Sequence, residues 1–341
     1  MKETINYILN FAKEILEIPS PSGYCQTVIS RIEQEAITLG FYIEKSKKGN
    51  AIITIPGKTN YMLGLSGHVD TLGAMVKSIT SDGNLKFTTI GGPIWPTLDG
   101  EYCTVHTRDH LEYTGTFLST SPSVHVYKDA SSKDRTPETM IVRIDEVVHT
   151  KEDVLKLGIQ AGDYIFFDPK TTITDSGFIK SRFLDDKMSV AILFGLLKYI
   201  KSNHLKLNPT IKIIISTYEE VGHGASNLPL LDELIAVDMG CIGDDLSCTE
   251  EMVSICCKDS SGPYDYQITS DLVSLAKKGN LQYATDIYPF YGSDVSAALR
   301  GGQDIKGGLI GPGVHASHGM ERTHQSAVEN TLKLLLAYIQ K

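Results

Sequence analysis

The chain has 341 residues, of which 41% are hydrophobic and 21% are charged. This balance is typical of a globular protein, and the length suggests about two domains, or one domain with a large insertion. The formal net charge of −9 argues against a nucleic-acid-binding protein, which would more often carry a basic face.

The first third of the chain predicts two helices, a hairpin and a strand. Apolar residues recur at helical spacing in two segments, and the second segment closes at Gly40. The alternating stretch 41–55 predicts a β-hairpin. The apolar run 61–66 predicts a strand that leads directly into His68 and Asp70.

The next hundred residues differ in character. Residues 71–170 contain many short β-like runs, are rich in Thr, Gly and Pro, and have a single helical stretch at 151–157. This pattern is typical of a small β-barrel or β-sandwich. We therefore expect an all-β domain over 71–170.

From residue 179 the helix–strand alternation returns. A strong helix is predicted at 186–201, a strand buried on both faces at 211–217, a further strand at 305–310 and a terminal helix at 325–341. The fold class is therefore α/β: a central mixed sheet flanked by helices is built from residues 1–70 and 171–341, and the all-β domain is inserted between them. Open α/β sheets place their ligands at the carboxyl ends of strands, where this insertion begins.

The N-terminus has no basic and apolar signal pattern, and no apolar run is long enough to cross a bilayer. The six cysteines form no Cys-x-x-Cys pair, so we expect buried free thiols in a reducing compartment. These features predict a cytoplasmic protein without a nucleic-acid or membrane partner.

Five short segments place His, Asp or Glu at a predicted strand end or helix start. They are His68-Val69-Asp70, Asp185-Asp186, Glu219-Glu220, Asp238 and the histidine-rich segment 315–324. Each alone has an ordinary structural interpretation: a histidine beside a turn aspartate, a helix N-cap, or a polar loop. Two adjacent aspartates exceed what a cap requires, however, and a carboxylate can bridge two cations. Together the segments form a His/carboxylate set, which suits zinc, cobalt or manganese.

In this order and spacing, the five segments resemble metallopeptidase family 42, the dinuclear-metal aminopeptidases of the glutamyl or deblocking type that assemble into tetrahedral shells. The resemblance covers nearly the whole chain. It implies a phosphorylase/hydrolase-like metallopeptidase domain, with the inserted β-barrel as a dimerisation domain. It also implies a homo-oligomer, with dimers assembling to a dodecamer, and peptide substrates with a free N-terminus.

The resemblance also implies site roles and two divalent metal ions per subunit, zinc or cobalt in the first place and manganese as a further option. The implied metal ligands are His68, Asp185, Glu220, Asp238 and His324, with Asp185 between the two ions. Glu219 would be the general base acting on a metal-bridged water, and Asp70 would lie behind His68. His318 is the alternative to His324. Lys187 replaces the usual Arg after the paired acids, and Gln325-Ser326 replaces the usual Ser-Pro.

Other functions stay open at this point. A related two-metal carboxypeptidase or deacylase often carries its insert after the paired glutamates, whereas here the insert follows Asp70 directly. A glycosidase would need two separated carboxylates, and adjacent residues such as Glu219 and Glu220 do not suggest that spacing. A metal-stabilised scaffold without turnover is the non-enzymatic alternative.

Overall fold

In a computed structural model that describes residues 1–341, the chain divides into two compact units. One unit combines Met1–Thr71 with Lys170–Lys341, and the other is Leu72–Pro169. The seven α-helices are α1 (Lys2–Leu16), α2 (Gln26–Thr38), α3 (Lys151–Lys156), α4 (Leu184–Ser202), α5 (Tyr266–Lys278), α6 (Asp294–Arg300) and α7 (Gln325–Tyr338). No helix combines the length and the apolar character needed to span a membrane.

The strands are numbered in chain order. They are β1 (Ile43–Lys45), β2 (Ala51–Ile55), β3 (Met62–His68), β4 (Gly73–Ile79), β5 (Leu85–Ile90), β6 (Tyr102–His106), β7 (Glu112–Ser119), β8 (Met140–Ile144), β9 (Tyr164–Phe167), β10 (Thr172–Ile173), β11 (Phe178–Ser181), β12 (Thr210–Ser216), β13 (Glu233–Val237), β14 (Gly240–Cys241), β15 (Val253–Asp259), β16 (Gly262–Pro263), β17 (Tyr283–Ile287), β18 (Lys306–Val314) and β19 (Glu321–His324).

The first unit is built on a ten-stranded mixed sheet. Its main path runs β1-β2-β12-β3-β13-β18-β15-β16, with β14 beside β18 and β17 beside β15. The central strands β12, β3, β13 and β18 are parallel, whereas β1, β2 and β15 pair antiparallel with their neighbours on this path. This architecture confirms the predicted α/β class with a central mixed sheet, and the β1–β2 pair confirms the predicted hairpin.

Helices cover both faces of this sheet. On one face α4 packs against β3 and lies between α1 and α7. Residues 190–197 of α4 are all buried, as expected for a stretch of helix without polar side chains. On the other face, Val295 and Ala298 of α6 join the apolar cluster formed by Leu234, Ala236 and Leu309 of the sheet.

Strand β18 is longer than predicted. The expected strand ended at Ile310, before Gly311, Pro312 and Gly313. The structure continues the strand to Val314, because its last residues pair with β14 and β15. A Cβ at Gly311 would lie 1.8 Å from the Asp238 carbonyl oxygen. Glycine here reflects a close approach of two backbones rather than a turn.

The second unit is a closed barrel of strands β4-β5-β8-β7-β6-β9. Edge-to-face contacts of Phe117 with Phe87 and Phe167 fill its interior. Helix α3 begins at a capping box between Thr150 and Asp153. The barrel confirms the inserted all-β element of the predicted fold, and its role in dimerisation stays a prediction.

Candidate metal centre

Three adjacent parallel strands of the main sheet end at one place. β12, β3 and β13 lie side by side, and the register pairs Ser216 of β12 with His68 of β3. Glu219 and Glu220 follow β12, and Asp238 follows β13. Parallel pairing therefore gathers these residues, which are distant in the chain, at the carboxyl edge of the sheet, where α/β proteins bind ligands.

His68 lies at the centre of the cluster and is 1% exposed. Its Nε2 atom lies 3.0 Å from Asp185 Oδ1 and 3.7 Å from Glu219 Oε2, and its Nδ1 atom lies 2.9 Å from the Asp70 carbonyl oxygen. A histidine held at Nδ1 by a carbonyl presents Nε2 for ligation, which is the usual arrangement of a metal-binding histidine.

Asp70 is buried and organises the strand ends. Its Oδ1 accepts the Glu219 N–H at 3.0 Å, and its Oδ2 accepts the Glu220 N–H at 3.2 Å and the Ser22 hydroxyl at 2.5 Å. Its carboxylate lies 3.5 Å from His68 Nδ1, farther than its own carbonyl oxygen. The carboxylate of Asp70 thus mainly fixes the turn that carries the two glutamates, and its backbone orients His68.

Asp185 and Asp186 open helix α4 after Phe183, which has a left-handed φ of 73°. The two carboxylates of this pair point to different partners. Asp185 Oδ1 faces His68 Nε2, and Asp185 Oδ2 lies 3.6 Å from His318 Nε2. Asp186 Oδ2 accepts the His68 backbone N–H at 3.2 Å.

Glu219 and Glu220 form a short 3-10 helix with Val221. Glu220 turns its Oε2 towards His318 Nε2, at 3.6 Å, and its Oε1 is buried without a hydrogen-bond partner. Asp238 closes the other side of the cluster and accepts the Met239 N–H at 2.6 Å.

Two groups of ligand atoms are close enough to share a cation. One consists of His68, Asp185 and Glu220, the other of His68, Asp186 and Asp238, and within each group the atoms lie within 4.8 Å of one another. Asp186 Oδ1 and Glu220 Oε1 are buried and lack hydrogen-bond partners. Buried carboxylate oxygens without partners are costly, and cations at these two positions would satisfy them. The donor set therefore fits divalent metal ions of the zinc, cobalt or manganese type.

The electrostatics of the cluster agree with this. Burial, reinforced by neighbouring carboxylates, raises the pKa values of Asp186, Glu219 and Glu220 well above their usual range and that of Asp238 to about 7. Burial would raise the pKa of Asp185 as well, but its hydrogen bond and ion pair with His68 lower it. The site therefore has an excess of negative charge, which bound cations would neutralise.

The structure does not place His324 in this cluster. Its Nε2 lies 2.8 Å from the Ser176 carbonyl oxygen, its Nδ1 lies 3.0 Å from Ser326 Oγ, and its ring contacts Phe178. Both ring nitrogens thus face groups other than carboxylates. His318 lies instead against Asp185 and Glu220, so the expected position of His324 is wrong and the alternative histidine occupies its place.

Other residues of the site were not assigned by sequence reasoning. Asp186 was visible as the second acid of the pair but was given no ligand role. Ser22 and Glu321 were given no role. Ser22 reaches the site from the segment before α2, and Glu321 reaches it from the start of β19, placements that sequence spacing alone does not predict.

Comparison with known proteins finds aminopeptidases. A family model for M42 glutamyl aminopeptidases matches residues 49–334. The chain is 48% identical over 340 residues to the Bacillus subtilis (strain 168) protein named "Putative aminopeptidase YhfE", and the match covers 99% of this chain and 98% of that protein.

Solved structures share the fold at low sequence identity. Aminopeptidase APDkam598 from the archaeon Desulfurococcus kamchatkensis superposes with a TM-score of 0.89 at 21% identity, covering 99% of this chain and 95% of that one. The Pyrococcus horikoshii TET1 peptidase, described as able to assemble into a tetrahedron or a large octahedral shell, gives a TM-score of 0.85 at 22% identity, covering 98% and 99%.

Proposed function

The chain belongs to the M42 glutamyl aminopeptidase family and is a peptide hydrolase of the aminopeptidase type, and we propose that it removes N-terminal residues of peptides with two divalent metal ions held at the carboxyl edge of its main sheet. The observation that carries this proposal is the position of Asp185. Its two carboxylate oxygens face two different histidines, His68 and His318. A carboxylate in that position suits two cations at once.

We assign the ligands by their side of Asp185. His68 and Asp238, with the Asp186 carboxylate beside them, would hold one ion, which we name the first metal position. Glu220 and His318 would hold the other, the second metal position. Zinc and cobalt are the first choices and manganese the next, because a mixed imidazole and carboxylate set accepts all three.

Bound divalent ions would supply Lewis acidity and lower the pKa of a water molecule towards neutrality. Glu219 is placed to move the proton. Its carboxylate lies 3.7 Å from His68 Nε2, its backbone is fixed by Asp70, and its side chain is 15% exposed, whereas that of Glu220 is 4% exposed. Glu219 would take a proton from the attacking water and pass it to the leaving amine.

We propose a homo-oligomer in which the barrel unit supplies dimer contacts and dimers assemble to a dodecamer, as the similarity to a shell-forming peptidase suggests. Size-exclusion chromatography with light scattering tests this, and elution as a monomer would contradict it. A cytoplasmic location is proposed on the six cysteines, all of them free thiols.

The deciding experiment starts from protein stripped of metal with EDTA. The protein is incubated with a panel of aminoacyl p-nitroanilides, with and without zinc, cobalt or manganese, and N-acetylated substrates serve as the matched control. We expect metal-dependent release from the free-amine substrates only. Equal release from acetylated substrates would show that no free amine is needed and would contradict an aminopeptidase. No release with any metal would contradict the proposed activity and favour the deacylase or the scaffold without turnover.

A further inference from the structure

Glu321 is a buried acid, 2% exposed, at the start of β19, close to the proposed metal ligands. Its carboxylate makes two hydrogen bonds to backbone amides. Oε2 accepts the Asp185 N–H at 3.0 Å, and Oε1 accepts the His318 N–H at 3.0 Å. Each oxygen therefore holds the backbone of a different proposed ligand.

The loop that carries His318 needs such support. Ala316 and His318 both have left-handed backbone conformations, with φ of 58° and 63°. Residues other than glycine adopt this region at a cost, so the loop must be held by its surroundings. The backbone bonds between His315 and Arg322 close the base of the loop, and the bond from Glu321 fixes the His318 amide within it.

The start of helix α4 needs support for a different reason. Asp185 and Asp186 have non-helical backbone angles, so their amides are not arranged as in a regular first turn. The amides at the start of a helix have no partner within the helix and require an outside acceptor. Glu321 supplies that acceptor to Asp185, across 136 residues of sequence.

We propose that Glu321 is a positioning residue that sets the distance between Asp185 and His318 and so shapes the second metal position. It contacts no reacting group itself, because both of its oxygens are used by backbone amides. The inference rests on the proposed function, because it assumes a metal at the second position. The two hydrogen bonds of Glu321 to the Asp185 and His318 amides, which we name the Glu321 clamp, exist without metal and can be measured in metal-free protein.

The test uses Glu321→Gln in the full chain. Glutamine keeps the size of the side chain but replaces one oxygen with an NH₂ group, which opposes an N–H donor and cannot accept its bond. Glu233→Gln is the matched control: Glu233 is also buried and accepts hydroxyls of Tyr61 and Tyr338, and it has no contact with the metal cluster.

Two measurements, amide hydrogen exchange without metal and cobalt affinity, test the backbone contacts of Glu321 separately from their effect on metal binding. In metal-free protein, we expect the amides of Asp185 and His318 to exchange hydrogen about tenfold faster or more in Glu321→Gln than in wild type. Cobalt titration of stripped protein should then show one of two binding steps, the one lost in His318→Ala, weakened by about 10–100-fold, the usual effect of removing a residue that orients a ligand. Glu233→Gln should leave both readouts at wild-type values.

Unchanged amide exchange in Glu321→Gln would overturn the proposal whatever the metal does. Faster exchange with unchanged cobalt affinity would also overturn it, because Glu321 would then be structural only. If His318→Ala binds both ions as wild type does, the assigned metal centre is wrong. Amide exchange in Glu321→Gln then still shows whether Glu321 holds the backbone of Asp185 and His318. If Glu321→Gln does not fold, Glu321→Asp, which keeps the charge but shortens the reach, is measured against the same two expectations.

Discussion

Glu219 and Glu220 are neighbours in the chain, but their carboxylates have different surroundings. The Glu220 side chain is nearly buried, with one oxygen near His318 and the other without a partner. The Glu219 side chain is more exposed and lies near His68 Nε2. A ligand must be held within a site, whereas a base must reach water, so the two environments support the proposed roles of Glu220 as a metal ligand and of Glu219 as the base.

We expect Glu219→Gln to lower kcat by about 10²–10⁴-fold, the usual contribution of a general base, while the metal content stays that of wild type. Glu220→Ala should lose one of the two ions as well as activity. Steady-state kinetics and metal analysis of the dialysed proteins check both. Wild-type turnover in Glu219→Gln would refute the assignment of the base.

Two of the three histidines of the 315–324 segment, His318 and His324, give a second prediction. His318→Ala should loosen metal binding and reduce turnover at limiting metal, because its Nε2 faces both Asp185 and Glu220. His324→Ala should keep wild-type metal affinity, because its ring bonds to Ser176 and Ser326 instead. Calorimetric cobalt titration of the two variants compares them directly, and the reverse ranking would restore the assignment made from sequence.

The sequence predicted some of these residues better than others, for a physical reason. His68, Glu219 and Asp238 sit at ends of buried strands, and parallel pairing alone brings such ends together. The choice between His318 and His324 depends on a loop that contains left-handed residues, and the path of such a loop cannot be predicted from hydrophobic periodicity. The structure therefore brings together the predicted residues that lie at or just after strand ends, whereas the choice of histidine within the 315–324 segment depended on the loop.

At the scale of elements, strand β18 links backbone packing to the metal centre. It pairs in parallel with β13, and the Asp238 N–H bonds to the Ile310 carbonyl at 2.9 Å. The next residue, Gly311, lies so close to Asp238 that only a residue without a side chain fits. Helix α4 and the β1–β2 hairpin followed from the pattern of apolar residues, but the extension of β18 beyond Ile310 did not, because its glycines are required by close neighbouring backbone and not by local propensity.

Gly311→Ala should therefore damage the site without touching a ligand. The added methyl group must displace the Asp238 backbone, since its clash is with a carbonyl oxygen and not with a flexible side-chain end. We expect lower thermal stability, by about 1–3 kcal/mol for an overpacked position, together with weaker metal binding. Gly243→Ala, where a Cβ meets nothing within 4 Å, is the control and should match wild type in both measurements. Equal metal affinity in the two variants would show that β18 does not set the position of Asp238.

At the scale of the whole molecule, the site places several buried carboxyl groups close together, and without metal their burial and mutual repulsion lower the stability of the fold. Burial, with repulsion between neighbouring carboxylates, raises the pKa values of most acids in the cluster, to about 7 for Asp238 and to about 8 for Glu321. Asp185 is an exception, because its interactions with His68 lower its pKa. Burial opposes the charged form of His68, but its interactions with Asp185 and Asp70 outweigh burial and raise its pKa. A group with a higher pKa in the folded than in the unfolded chain binds more protons when folded. The free energy of unfolding of metal-free protein should therefore fall as pH rises from about 4, the ordinary carboxyl value, towards 8.

Metal should remove most of this dependence, because a bound cation takes the place of the protons and also stabilises the folded state by mass action. We expect the Tm of stripped protein to fall between pH 5 and pH 8, and the Tm of metal-loaded protein to fall less, so that the difference between them widens with pH. Calorimetric melts of the two forms in matched buffers measure this. Parallel curves would mean that the buried acids are compensated by something other than a cation, and the two-metal assignment would lose its electrostatic basis even if the peptidase activity stood.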